Sequence, residues 1–174
     1  MFEAADNHMH AKRFQDALAA YQTLWTQLQE ELGEAQQVWL LLSIANAAVR
    51  SGDYEEALRA LEALPEHYAD SGIVVGNPLF HLLVGLSLHG LNENPGGQID
   101  NFARALICGG PEIFSGEDSS HLTRTKEILR PPAELGTWTG YQGCCRDLLN
   151  QSTGYLRDLL TKKFGSPPPY AEPH

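Results

Sequence analysis

The stretch LLSIANAAVRSGDYEEALRALEAL, residues 41–64, decides the fold of this chain. Its apolar residues recur at spacings of three and four on both sides of Gly52, which predicts two helices joined by a tight turn. Gly52 can adopt the left-handed conformation that ends a helix, and Asp53 is a preferred cap for the next one. Pro65 predicts the end of that second helix. The stretch therefore predicts an antiparallel helical hairpin.

Small residues inside this hairpin indicate close packing. Ala45 and Ala57 would let the two helices approach each other, while larger residues such as Leu61 would fill the space toward a neighbouring hairpin. The pattern resembles the tetratricopeptide repeat, and the matching positions are Ile44, Ala45, Ala48, Gly52, Tyr54, Ala57, Leu61 and Leu64. The resemblance implies a stack of helical hairpins that holds another protein.

Two further stretches resemble the same repeat, so that the resemblance covers residues 2 to about 108. Residues 78–108 form one copy, with an extra residue in a glycine-rich turn and with Gln98 where the repeat has a small alanine. Residues 2–32 form the other, through Phe14, Ala17, Tyr21 and Leu24. The expected fold is all-α, with tetratricopeptide-like antiparallel helical hairpins stacked into a short solenoid.

The same patterns predict the organisation of the chain. We expect one domain over residues 1–164, with hairpins at about 2–32, 37–65 and 78–108. C-terminal helices at about 118–130 and 141–164 would cap the stack, and residues 165–174 would form a proline-rich tail. No segment with an alternating apolar pattern is long enough to predict a strand.

Charge and composition exclude several classes of function. The 174 residues include 22 acidic and 12 basic side chains, a net charge of −10, which argues against nucleic-acid binding because that needs clustered Lys and Arg. The longest apolar runs are shorter than the roughly 20 residues that cross a bilayer, so no membrane span is expected. The acidic N-terminal stretch does not resemble a secretory leader, and the three cysteines suit a reducing cytosol. We therefore expect a cytoplasmic protein.

No set of residues predicts catalysis, a metal site or a cofactor. His8 and His10 are two residues apart, so a helix would direct their side chains to different sides. Cys144 and Cys145 lack a recognisable base, and Cys145 fits an apolar helix face. We expect a protein that is not an enzyme, and a small catalytic helical protein is kept as an alternative.

A concave face is the predicted partner-binding surface. In stacked hairpins the first helix of each pair lines this face, and its contact residues lie off the packing stripe. The residues in this register are Asp6, His10, Asn46, Val49, Arg50, Leu82, Leu86 and His89. In the alternative interpretation, the C-terminal helices fold back and fill the groove.

The second half of the chain carries a looser resemblance. NPLFHLLVGLSLHGL at 77–91 and NFARALICGGPEIFSGED at 101–118 resemble small bacterial tetratricopeptide-like proteins, some of which serve as immunity proteins against polymorphic toxins. The resemblance implies a cytoplasmic immunity protein whose partner is a toxin, and the acidic composition would suit a basic toxin or effector. The alternative is an adaptor or chaperone that recognises a short peptide of a secreted effector or other client.

Overall fold

Helices account for nearly all of the chain described by the computed structural model, which covers residues 2–68, 77–130 and 140–141. The α-helices are α1 (Glu3–His10), α2 (Phe14–Leu28), α3 (Glu34–Ser51), α4 (Tyr54–Tyr68), α5 (Pro78–Gly90), α6 (Pro95–Gly109) and α7 (Ser119–Ile128). A 3₁₀ helix spans Pro111–Phe114, and two-residue strands β1 (Leu129–Arg130) and β2 (Gly140–Tyr141) pair antiparallel. The all-α, helical-repeat prediction is confirmed.

The turn between α3 and α4 has the caps that the sequence predicts. Gly52 has φ of 83°, in the left-handed region, and the amide of Asp53 donates to the carbonyl of Ala48 at 2.9 Å. The Asp53 carboxylate then accepts a hydrogen bond from the amide of Glu56 at 3.2 Å, which caps α4. A two-residue connection of this kind forces α3 and α4 to run antiparallel.

The core of this hairpin is built from small residues flanked by large ones. Ala45 and Ala57 are both 0% exposed, so neither position has room for a larger side chain without movement. Leu61 and Leu64 on α4 are also buried. Helix α3 contacts α2 as well as α4, which leaves it as the central helix of this part of the chain.

Helix α4 is longer than the sequence predicts. It continues past Pro65 to Tyr68, so the predicted end at Pro65 is wrong. A proline has a φ that a helix accepts, and near the end of a helix it removes a single hydrogen bond. Burial of Leu61 and Leu64 in the preceding turns holds the helical direction through that loss.

Helix α6 begins earlier than the glycine-rich sequence suggests. The sequence predicts a glycine-rich turn before the second helix of the copy at residues 78–108, whereas α6 already starts at Pro95, ahead of both glycines. The side chain of Asn94 caps the helix by accepting from the amide of Gly97 at 3.0 Å, and proline is favoured in a first helical turn. The cap and the proline together outweigh the low helix propensity of the two glycines.

The described residues group into two compact units, and one domain over residues 1–164 stays a prediction. One unit comprises residues 2–68 and 83–98, and the other comprises residues 77–82, 99–130 and 140–141. The boundary falls inside α5 and α6. In the second unit Phe114 is buried and its ring lies 6.0 Å from that of Phe102.

Two predicted C-terminal elements fall largely outside the described residues. Of the helix expected at about 141–164, the structure describes Tyr141, which lies in β2. Residues 142–164 and the proline-rich tail lie beyond the described part. Helix α7 begins just after Asp118, whose carboxylate accepts from the amide of Ser120 at 2.8 Å.

Candidate functional site

A groove of about 330 Å³ lies between the first turns of α1 and α3. This Trp39 groove is lined by Phe2, Asp6, Ala35, Gln36 and Trp39. At the start of α3 the Gln36 side chain caps the helix from one side, because its Oε1 accepts from the amide of Gly33 at 3.1 Å. The wall of the groove is therefore held by the helix cap and does not depend on a loose loop.

Trp39 is the most unusual side chain of the groove. It is 42% exposed, more than any other large apolar side chain among the described residues. Its neighbours Val38 and Leu40 are buried, so α3 directs Trp39 away from its own core. Tryptophan is enriched in protein–protein interfaces, which makes an exposed indole beside a groove a candidate contact for a partner.

Two aromatic rings hold Trp39 in place. The ring of Phe2 lies 4.9 Å from that of Trp39 at an interplanar angle of 72°, and Tyr21 on α2 lies 6.1 Å away at 83°. Both are edge-to-face arrangements, each of which stabilises by about 0.5–1.5 kcal/mol beyond burial. These contacts restrict the indole before a partner covers it, which lowers the side-chain entropy lost on binding.

Asp6 supplies the charged group of the groove. Its Oδ1 accepts a hydrogen bond of 2.6 Å from the hydroxyl of Tyr21, which is 3% exposed. Burial raises the pKa of Tyr21, and the hydrogen bond and negative charge of Asp6 raise that pKa further. Tyr21 therefore remains a neutral donor across physiological pH, and it orients the carboxylate of Asp6.

The structure places the predicted concave-face residues in different environments. Asp6 lines the Trp39 groove, His10 is exposed at the end of α1, and His89 is exposed on α5. Asn46 and Arg50 are partly buried on α3, and within the described residues Asn46 Oδ1 has no hydrogen-bond partner. The side chains with least access to a partner are the buried ones, Val49, Leu82 and Leu86.

Sequence reasoning missed Phe2, Ala35, Gln36 and Trp39. The signal for Trp39 was available, because it precedes Asn46 by seven residues and Arg50 by eleven. At 3.6 residues per turn, both intervals return to the same face of α3. The contribution of Phe2 could not be found in this way, since it depends on how α1 packs beside α3.

A second cavity, of about 360 Å³, lies on another side of α3, between α2 and α4. Gln22 Nε2 donates to Glu56 Oε1 at 2.7 Å across it, and Glu56 also pairs with Arg59. Trp25 and Thr26 on α2 contribute to its wall. Its polar groups bond to one another, and its tryptophan, Trp25, is less exposed than Trp39.

The described residues offer no arrangement for metal chemistry. Among them, no group of three or more His, Cys, Asp and Glu side chains could hold an ion. His8 Nδ1 lies 3.7 Å from Asp16 Oδ2, and His81 Nδ1 lies 3.1 Å from Asn101 Oδ1. No helix in the described part of the chain is long and apolar enough to cross a membrane.

Comparison with known proteins agrees with the helical architecture of α2, α3 and α4. A family model described as tetratricopeptide repeat matches residues 8–75, a range that includes α2, α3 and α4. No curated protein and no solved structure matches the chain. The match supports the tetratricopeptide-repeat family, whose repeats generally mediate protein–protein interaction and are typically non-catalytic.

Proposed function

We propose that this chain is a non-enzymatic, cytoplasmic protein that binds another protein through the Trp39 groove. One observation carries the proposal: an exposed indole, fixed by two aromatic neighbours, borders a groove between the first helices of two tetratricopeptide-like hairpins. A partner that covered Trp39 would bury apolar surface, at about 25 cal/mol per Å². The rigid ring would favour tight binding because its conformation is already set.

The partner in this proposal is a bacterial toxin, which the chain neutralises as an immunity protein. Support comes from the net charge of −10 and from the resemblance of residues 77–91 and 101–118 to small bacterial tetratricopeptide-like proteins, some of which serve as immunity proteins. An acidic protein attracts a basic one over long range and speeds the encounter. Binding alone would neutralise the toxin, without any chemical step by this chain.

A second candidate is an adaptor or chaperone that recognises a short peptide. The size of the Trp39 groove favours it, since about 330 Å³ suits a few side chains of an extended or helical segment. Both candidates use the same groove. They differ in whether the partner is a folded toxin or a peptide segment of a client.

The test is growth protection. The protein encoded beside this chain in its own genome is expressed in a sensitive host, together with the wild-type chain or a variant. We expect the wild-type chain to restore growth and Trp39→Ala to lose most of the protection. Trp25→Ala, which changes the cavity between α2 and α4, is the matched control and should protect.

Folding must be separated from binding in this test. Each variant is first checked by urea unfolding, and those that remain folded at the assay temperature are compared. Equal protection by Trp39→Ala and wild type would contradict the proposed groove. A neighbouring gene that is not toxic, but whose product binds the chain through a short peptide, would favour the adaptor.

A further inference from the structure

The ends of α1 and α3 that form the Trp39 groove carry acids and no basic residues of the Lys or Arg type. Residues 2–11 include Glu3 and Asp6, and residues 29–49 include Glu30, Glu31 and Glu34. The nearest Arg along α3 is Arg50, eleven residues from Trp39, which is about 16 Å along the helix axis. The charge at this end of the surface is therefore negative.

Helix dipoles reduce this negative charge without cancelling it. The N-terminus of each helix carries the equivalent of about half a positive charge. Two such ends, of α1 and α3, are outweighed by Glu3, Asp6 and Glu34, which lie in their first turns. A carboxylate of a partner would meet net repulsion here, whereas a cation would meet net attraction.

Asp6 has an oxygen available for such a cation. Its Oδ1 accepts from Tyr21, and within the described residues no side chain donates to Oδ2. Asp6 is partly buried beside Phe2 and Trp39, so an ion pair formed there is screened less than one on an open surface. The groove thus places a fixed carboxylate next to a fixed aromatic surface.

We propose that the Trp39 groove binds a segment of a partner protein that carries a large apolar side chain within one helical turn of a lysine or arginine. The apolar side chain packs against Trp39 and Phe2, and the cation pairs with Asp6. The inference rests on the proposed function, because it specifies the partner chemistry of the same groove. It excludes recognition of an acidic segment at this end of the surface.

The test uses a phage-displayed library of random peptides, selected on the full chain and depleted on the Trp39→Ala variant. Enriched peptides should carry a large apolar residue and a Lys or Arg within one turn. A synthetic peptide with the enriched sequence should bind about tenfold more weakly when its basic residue is replaced by glutamine.

Asp6→Asn supplies the control, since its amide oxygen can still accept from Tyr21 while the charge is lost. In this variant the same glutamine replacement in the peptide should change affinity by less than about twofold. Enrichment of Asp or Glu beside the apolar residue, or an equal loss in wild type and Asp6→Asn, would overturn the inference. Such results leave the growth test untouched, because that test depends on Trp39 and not on partner charge.

Discussion

Replacing Gly90 by alanine tests how α5 packs against α4. A Cβ on Gly90 would lie 2.5 Å from Cδ2 and from Cζ of the Tyr54 ring, well inside the 3.0 Å that real contacts respect. Alanine alone should stabilise by about 0.4–1 kcal/mol, because it reduces the freedom of the unfolded chain. Overpacking against the ring should cost about 1–3 kcal/mol, so we expect net destabilisation of roughly 1 kcal/mol.

A double-mutant cycle separates these two contributions. In a Tyr54→Ala background the ring is absent, and Gly90→Ala should then stabilise the chain. The coupling between the two positions should equal the steric cost, about 1–3 kcal/mol, which exceeds the roughly 0.3–0.5 kcal/mol scatter of independent sites. Urea unfolding followed by circular dichroism measures all four chains. If Gly90→Ala stabilised both backgrounds equally, the close contact of α5 with Tyr54 would be refuted.

Three further outcomes are expected. Ala57→Trp should destabilise by at least about 1–3 kcal/mol, because Ala45 and Ala57 leave no space between α3 and α4; an unchanged melting temperature would contradict that packing. Because the pKa of Tyr21 is raised in the folded chain, the stabilisation that Tyr21 provides should be intact below the ordinary tyrosine pKa of 10.0 and should diminish as the pH rises further. The free energy of unfolding of Tyr21→Phe should therefore fall less than that of wild type between about pH 9 and pH 11. Equal losses would argue against the buried phenol. Association with a basic partner should slow steeply as salt rises from about 0.01 M to 0.15 M, while the dissociation rate stays nearly constant. Stopped-flow mixing measures the association rate, and a salt-independent association rate would contradict electrostatic steering.

Local signals predicted the helical hairpins well. Gly52 was expected to end α3 and Asp53 to cap α4, and each does so in the structure. Such caps involve residues two to four apart, so their chemistry can be identified without knowing the rest of the fold. The alanine pair at the α3–α4 contact is equally evident, because small residues at helical spacing are required for close approach.

Helix ends that depend on competition between effects were not predictable from propensity alone. Pro65 costs α4 a hydrogen bond, yet the buried leucines before it carry the helix to Tyr68. The glycines after Pro95 disfavour helix, yet the Asn94 cap starts α6 there. The Trp39 groove is a similar case, since its walls come from two helices and its aromatic support comes from Tyr21 on a third.

Site-specific photo-crosslinking tests the central proposal most directly. The photoreactive residue p-benzoyl-L-phenylalanine is placed at Ala35, which is exposed in the Trp39 groove, or at Thr26, which is exposed beside the cavity between α2 and α4. Both sites leave Trp39 intact. With the partner identified by growth protection, we predict a covalent complex from position 35 and little or none from position 26. A complex from position 26 alone would contradict the assignment of the Trp39 groove as the binding site.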